Sequence, residues 1–140
     1  MDRLTSAQRS WNMSRIKGRN TAPERVVRSV LHRHGFRFLL NSNRDLPGRP
    51  DVVLRRHQVA VFVHGCFWHR HKHCRFAYEP KSNASFWFDK FKANTLRDAR
   101  SRRDLRRLGW HVLVVWECQT SDRVALERRL VGALKRICDV

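Results

Sequence analysis

One short segment, residues 64–74, carries four histidines and two cysteines. Imidazole and thiol groups at this density do not suit an ordinary apolar core, and both are ligands that zinc prefers. Cys66, His71 and Cys74 have the spacing of zinc ligands, and a further thiol, Cys118, follows a later apolar run. We therefore expect a loop that folds around a metal and is joined through it to a later strand.

The composition indicates a partner with negative charge. The chain of 140 residues has 30 Lys and Arg against 12 Asp and Glu, a net charge of +18 that suits nucleic acid. Its hydrophobic content of 41% predicts one ordinary domain with its own core. No apolar run is long enough to span a membrane and the N-terminus lacks a secretory signal, so we expect a cytoplasmic protein with reduced cysteines and no membrane partner.

The hydrophobic periodicity predicts a mixed sheet with helices at both ends of the chain, an α/β or α+β class. Residues 1–20 are basic and poorly periodic and are expected to form a DNA-binding arm, whereas 21–140 form a single domain. Helices are predicted over residues 21–34, 84–108 and 122–138. Strands are predicted over 36–40, 51–54, 59–63 and 110–116, with the second and third forming a hairpin and the last one buried.

The helix predicted over residues 84–108 has two contrasting faces. Its inner face is expected to carry Phe86, Phe91, Leu105 and Leu108. Its outer face carries six arginines: Arg97, Arg100, Arg102, Arg103, Arg106 and Arg107. These arginines are expected to contact DNA phosphates, although a solvated helix face has the same pattern.

A catalytic centre is predicted where the hairpin begins and ends. Asp51 follows a Gly-Arg-Pro turn, and a carboxylate at the head of one strand that faces the end of its neighbour can hold Mg²⁺. The alternative is a turn aspartate that bonds backbone amides. His64 and His69 are not needed as zinc ligands and are candidates for proton chemistry, because imidazole titrates near neutral pH.

The zinc set predicted from spacing is closed. Three thiolates and one imidazole leave no position for water, so the site is expected to be structural. Its ligands are Cys66, His71, Cys74 and Cys118, with His73 as an alternative to His71. The fourth cysteine of the chain, Cys138, is predicted to be a buried core thiol.

Three further features allow two interpretations. Phe67 and Trp68 lie between the metal ligands and can serve as a wedge between base pairs, or they can cap a small core under the loop. Glu24 can belong to the catalytic centre, or it can only complete a helix capping box with Thr21. Asp98 can orient a histidine, or it can only pair with a nearby arginine.

These motifs together resemble the very-short-patch repair endonucleases, bacterial enzymes that nick DNA beside a T·G mismatch. The similarity extends nearly end to end. It covers 12–13, 21–24, 46–51, 64–69, the Phe86-Trp87 pair with Lys90 and Asn94, and 109–118. The run Cys66-Phe67-Trp68-His69 and the later run Trp116-Glu117-Cys118 are its most specific parts.

The resemblance implies a restriction-endonuclease-like fold of the PD-(D/E)xK type with an added structural zinc. It implies that Mg²⁺ is bound by Asp51 with the backbone carbonyl of residue 63. It implies that His64 and His69 serve in the chemistry, with Glu24 nearby. In the mechanism that we expect, His69 activates the attacking water and Asp98 orients His69. The zinc ligands would be Cys66, His71, Cys74 and Cys118. The DNA-binding residues would be Met13, Phe67 and Trp68 as wedges, with Arg15, Lys17 and Arg19 in the basic arm.

Two positions depart from the family pattern. Val63 replaces a residue that is often threonine, which preserves a carbonyl ligand and removes a hydroxyl. The spacer Lys72-His73 is one residue longer than in some relatives. The family lacks the second carboxylate and the lysine that are usual in this fold. Both are also absent here from the end of the strand, which reads Phe62-Val63-His64.

The resulting prediction is a monomeric, Mg²⁺-dependent endonuclease that nicks mismatched duplex DNA beside a T·G pair and leaves a 5′-phosphate. Two alternatives remain open. One is a restriction-type or other nicking nuclease with the same fold. The other is a zinc-stabilised DNA-binding module without catalysis.

Overall fold

The fold was taken from a computed structural model that describes residues 21–38 and 45–138. The predicted DNA-contacting residues of the arm, Met13, Arg15, Lys17 and Arg19, lie outside these ranges. In the described part of the chain the regular elements are α1 (Ala22–Arg33), β1 (Val52–Leu54), β2 (Val59–His64), α2 (Ala84–Arg107), β3 (His111–Trp116) and α3 (Arg123–Cys138). No helix among these is long and apolar enough to cross a membrane.

The three described strands form one mixed sheet in the order β1-β2-β3. β1 and β2 are antiparallel, with Val52 opposite Val61, and a short turn that ends at Gln58 with φ +54° connects them. β2 and β3 are parallel, with His64 beside Trp116. Parallel strands end at the same edge of a sheet, so the loops after β2 and β3 begin side by side.

Helices pack on both faces of the sheet. On one face, α1 and α3 contribute a leucine- and valine-rich layer that includes Leu31, Leu130 and Leu134. On the other face, Leu105 of α2 packs against alternate strand residues, among them Phe62. The mixed sheet flanked by helices confirms the predicted class.

The predicted helix and hairpin boundaries hold to within one or two residues. The hydroxyl of Thr21 accepts a hydrogen bond from the backbone N–H of Glu24 at 3.3 Å and caps α1. Gly35 and Gly109 follow α1 and α2 with φ of +81° and +89°, a conformation that ends helices at glycine.

Four expectations about strands and burial were wrong or only partly tested. Residues 36–38 belong to no strand, and 39–40 lie outside the described ranges. β3 is mostly half-buried, because it lies at an edge of the described sheet whereas β2 is its central strand. Cys138 is half-buried at the last residue of α3. The inner face of α2 was also misplaced, as described next.

The buried side of α2 differs from the predicted one at both ends. Phe86 is 51% exposed and Leu108 is 58% exposed, whereas Trp87 and Ser101 are buried. Ser101 lies inside because the backbone of Gly48 approaches it closely: a Cβ atom on Gly48 would lie 2.5 Å from that of Ser101. Ser101 is therefore buried because a small side chain is needed next to the turn before Asp51. Hydrophobic periodicity does not reveal such a requirement.

Candidate active site and metal centre

A cleft of 600 Å³ opens beside the ends of β1 and β2. Its lining brings together the residues predicted for catalysis with both aromatic residues of the metal loop. The lining includes Glu24, Asp51, Val63, His64, Phe67, Trp68, His69, Arg97, Asp98 and Glu117. Residues from helices α1 and α2 and from loops that are distant in sequence therefore meet at the edge that the topology predicts.

Asp51 lies at the entrance to β1, where its carboxylate reaches across to β2. Its Oδ2 atom accepts a hydrogen bond from the backbone N–H of Val63 at 2.6 Å. Burial raises the pKa of Asp51 to about 7, the Val63 hydrogen bond opposes the rise, and the charge of Glu24 adds to it. At neutral pH this carboxyl therefore takes up a proton or a cation readily.

Glu24 is the second carboxylate of the cleft. It is only 4% exposed, although it lies in the first turn of α1. Its backbone belongs to the predicted helix cap, while its side chain hydrogen-bonds with Asp51. The backbone of Glu24 therefore takes part in the cap, its side chain faces Asp51, and its role in a catalytic centre stays a prediction.

His64 and His69 form a stacked pair at the centre of the cleft. Their ring centroids are 4.0 Å apart and their planes differ by 7°. Burial, reinforced by the neighbouring His69, lowers the pKa of His64 to about 4, so this imidazole is neutral at physiological pH. This low pKa disfavours the proton role at neutral pH that the sequence analysis expected of His64.

His69 is held by an acidic partner on α2. Its Nδ1 atom lies 2.6 Å from Oδ2 of Asp98. Burial raises the pKa of Asp98, but the hydrogen bond with His69 and the nearby positive charges outweigh that effect and lower it. A carboxylate can only accept, so the proton of neutral His69 lies on Nδ1 and its Nε2 atom carries a lone pair.

A second cluster is formed by three residues of the loop after β2 and one residue that follows β3. Its ligand atoms all lie within 4.8 Å of one another and belong to Cys66, His71, Cys74 and Cys118. His71 Nδ1 is 3.7 Å from Cys66 Sγ and 3.5 Å from Cys118 Sγ. A tetrahedral zinc ion with ordinary bond lengths requires sulfur-to-nitrogen separations of about 3.6 Å, so the donor set fits that ion.

The surroundings of this cluster favour His71 over His73 as its imidazole. His71 stacks on Trp116 with a centroid distance of 4.3 Å, whereas His73 is exposed and does not join the cluster. Burial raises the pKa of Cys66 to about 12. Binding of a metal there would release the thiol proton, since thiolate is the form that coordinates.

Arg70 organises the loop, a role that the sequence analysis did not predict. Its guanidinium donates to the backbone carbonyls of Ala77 and Tyr78 at 3.0 and 3.1 Å and to the Glu79 carboxylate at 2.8 Å. It also lies 4.1 Å from the ring centroid of Phe91 on α2. An arginine in a basic chain carries no distinguishing signal in sequence, so only the fold reveals this position.

Phe67 and Trp68 are half-buried and line the cleft while packing on α2. The ring of Phe67 lies 5.5 and 5.1 Å from those of Trp87 and Phe91. Asn94 donates to the backbone carbonyl of Trp68 at 3.2 Å. Phe67 therefore supports the packing of the loop, as the core interpretation predicts, and the wedge role is a separate proposal.

Comparison with known proteins gives one consistent result. The family model "DNA mismatch endonuclease Vsr" matches residues 1–75. The chain is 47% identical over 133 residues to the Type II nicking enzyme V.XorIIP of Xanthomonas oryzae pv. oryzae, covering 95% of this chain and 96% of that protein. It is 42% identical over 120 residues to the DNA mismatch endonuclease Vsr of Escherichia coli, covering 86% and 76%. The chain therefore belongs to the Vsr family of DNA mismatch endonucleases.

Proposed function

We propose that this chain nicks one strand of duplex DNA beside a T·G mismatch by Mg²⁺-dependent hydrolysis of a phosphodiester bond. One observation supports this most strongly: the Asp51–Glu24 carboxyl pair and the His69–Asp98 pair face the same cleft. Metal-assisted hydrolysis requires at least a cation site and a general base beside it. The names of the relatives, a mismatch endonuclease and a Type II nicking enzyme, agree with it.

The donor set at Asp51 suits Mg²⁺. Two carboxylates in contact repel each other unless a proton or a cation lies between them, and Mg²⁺ prefers oxygen ligands. Continuing the register of β1 and β2 places Pro50 opposite Val63. Proline has no N–H, so it cannot donate to the Val63 carbonyl, which remains suited to a cation as the third oxygen.

The metal would neutralise charge on the phosphate and on the leaving oxygen. His69 then acts as the general base, because its Nε2 lone pair can accept a proton from the attacking water while Asp98 holds Nδ1. Asp98 also stabilises the imidazolium that this transfer produces. His64 stays neutral and contacts the phosphate from beneath His69.

The cysteine cluster would hold a structural Zn²⁺. Its four donors leave no open position for water, so the ion would supply folding energy and no chemistry. The loop that it closes carries His69, Phe67 and Trp68. The zinc would therefore fix the position of the general base His69 and of the two aromatic residues at the same time.

We assign mismatch recognition to Phe67 and Trp68. Their exposed edges line the cleft, and insertion of such rings unstacks a mismatched pair at lower cost than a matched one. Met13 in the arm is the third proposed wedge, with Arg15, Lys17 and Arg19 as phosphate contacts. A duplex with a mismatch is therefore the proposed partner.

A second candidate function is nicking of matched DNA at a restriction-type sequence. The Type II nicking names of several relatives favour testing it. A binding module without catalysis is less compatible with the cleft, because DNA binding requires neither the carboxyl pair nor the His69–Asp98 pair.

Nicking assays on duplexes that carry each mismatch, with and without Mg²⁺, separate these functions. We expect the T·G duplex to be nicked faster than its T·A counterpart, and only with the metal. His69→Ala and Asp51→Ala should each lower the rate by at least about 100-fold and retain DNA affinity. Equal rates on matched and mismatched duplexes would overturn the repair function, and undiminished rates in both variants would overturn the mechanism.

A further inference from the structure

A second cavity, of 380 Å³, shares none of its lining residues with the catalytic cleft. One wall is a stripe along α2, and the other belongs to the metal loop. The lining residues are Arg70, Glu79, Pro80, Ala84, Trp87, Phe88, Phe91, Lys92 and Thr95. Nothing in the proposed reaction uses this cavity.

Three of the six residues that α2 contributes to the cavity are aromatic. The six follow the pattern i, i+3, i+4, i+7, i+8 and i+11, so they lie on one side of the helix. Trp87 and Phe91 form a nearly buried floor, while Phe88 is 66% exposed. Phe86 is equally aromatic and also exposed, but it lies off this stripe and does not line the cavity.

The loop wall is held in place before any ligand binds. The hydrogen bonds of Arg70 to the carbonyls of Ala77 and Tyr78 fix the backbone on that side. The same guanidinium neutralises Glu79 across 2.8 Å. Lys92 adds a positive charge to the lining, so the cavity combines the exposed ring of Phe88 with a cation, while the Arg70 guanidinium already covers Phe91 at 4.1 Å.

We propose that this cavity binds an unstacked nucleobase of single-stranded DNA, with the adjoining phosphate at Lys92. Aromatic faces beside a cation are how proteins hold single-stranded nucleic acid without sequence preference. The cavity also continues the DNA-facing surface, because Phe67 in the cleft packs on Trp87 and Phe91 in the cavity floor. This inference rests on the proposed function, in which the aromatic wedge unstacks a mismatched base pair.

The experiment compares two phenylalanines on the same helix. The probe is a fluorescently labelled oligothymidylate, with a fully paired duplex as the reference, and fluorescence anisotropy gives both dissociation constants. Phe88→Ala should weaken oligothymidylate binding by roughly 5- to 100-fold and leave the duplex affinity within about 2-fold. Phe88→Tyr should restore it, and Phe86→Ala should change neither affinity.

Circular dichroism of each variant tests the fold. Equal effects of Phe88→Ala and Phe86→Ala, or no effect of either, would overturn the cavity assignment and point to another occupant, such as a protein segment. Nicking of the T·G duplex by the same preparations keeps the two proposals apart. A protein that binds oligothymidylate through Phe88 but nicks nothing contradicts only the proposed function, and one that nicks without this dependence contradicts only the cavity.

Discussion

At the scale of single residues, Gly48 sets the position of the turn before Asp51, the proposed cation ligand. Its φ of +74° is unfavourable for other residues, and a Cβ atom would also lie 3.2 Å from the ring of Phe62 in addition to its clash with Ser101. Gly48 precedes Asp51 by three residues. Any movement of this turn away from α2 therefore changes the distance between Asp51 and the His69–Asp98 pair.

We predict that Gly48→Ala lowers the turnover number by roughly 100-fold with little change in the Michaelis constant for DNA, because misplacement by about 1 Å costs that much. Adding Ser101→Gly to this variant should recover part of the rate by removing the atoms that clash. Gly35→Ala is the matched control, since Gly35 has φ +81° with nothing within 4 Å. If Gly35→Ala lowers the turnover number by the same factor, backbone strain and not the contact with Ser101 explains the effect.

The raised pKa of Asp51 makes a prediction about stability. The carboxyl group of Asp51 has a pKa of about 7 in the native state and 3.8 in the unfolded chain. Between these two pH values the native state keeps a proton that the unfolded chain has released. Asp51 therefore favours the native state most at low pH, and this contribution is lost as the pH rises through 7. The free energy of unfolding should fall by up to about 1.4 kcal/mol per pH unit between these values.

Urea denaturation at pH 5 and pH 8, without divalent ions, measures this effect. Asp51→Asn should be less sensitive to pH than the wild type and more stable at pH 8. Mg²⁺ should stabilise the wild type at pH 8 and leave Asp51→Asn unchanged. Asp45→Asn provides the control, because the exposed Asp45 has its pKa lowered by Arg55. Identical pH profiles for wild type and Asp51→Asn would contradict the assignment.

The sequence predicted which side chains meet, and it did so where residue type and strand order agree. Asp51 at the start of β1 and His64 at the end of β2 had to come together once the hairpin was recognised. His69 followed from its place among the metal ligands. Ser101 and Arg70 could not be predicted, because their importance depends on close backbone contacts that no local pattern encodes.

At the scale of elements, the loop between β2 and α2 depends on two attachments. The cysteine cluster joins it to the residues after β3. The Arg70 side chain connects two parts of the loop by donating to the backbone carbonyls of Ala77 and Tyr78. The described part of this loop contains neither helix nor strand. Its conformation therefore rests on polar attachments and on the aromatic contacts with α2.

We predict that Cys118→Ser lowers the zinc content well below one ion per chain and reduces the melting temperature by more than about 5 °C, since structural zinc supplies folding energy. Cys138→Ser is the matched control, because Cys138 lies at the end of α3 outside the cluster. Elemental analysis and thermal denaturation give the two readouts. Protein purified without chelators that contains no zinc would contradict the assignment, as would full zinc content in Cys118→Ser.

The helices were easier to predict than their faces. Capping by Thr21 and the stops at Gly35 and Gly109 are local signals, and the observed boundaries follow them. The faces of α2 depend on what packs against it. Helical periodicity predicted Phe86 on the inner face, and its side chain is instead 51% exposed.

At the scale of the whole molecule, charge is expected to govern DNA affinity. α2 lies on one face of the sheet and carries most of its arginines exposed, whereas α3 lies on the opposite face. Arg97 lines the cleft, and Arg129 on α3 is exposed away from it. A protein that neutralises several phosphates loses affinity steeply as salt concentration rises.

We predict that Arg97→Ala lowers the slope of log affinity against log salt concentration by about 1, the value expected for one lost phosphate contact. Arg129→Ala removes the same charge and should leave the slope unchanged. Fluorescence anisotropy with duplex DNA at several salt concentrations measures both. Equal changes in the two variants would mean that only net charge attracts the DNA.

The side-by-side ends of β2 and β3 lead us to predict that a chelator inactivates the protein in two successive phases. His64 ends one strand and Cys118 follows the other, so the proposed catalytic and structural ions share an edge of the sheet. A chelator should stop nicking within seconds by removing the exchangeable Mg²⁺, and adding Mg²⁺ back should reverse this. Longer exposure should cause a second, slower loss as the enclosed Zn²⁺ leaves, and only zinc should reverse that phase. The time that a sample has spent with the chelator will then decide which ion restores nicking.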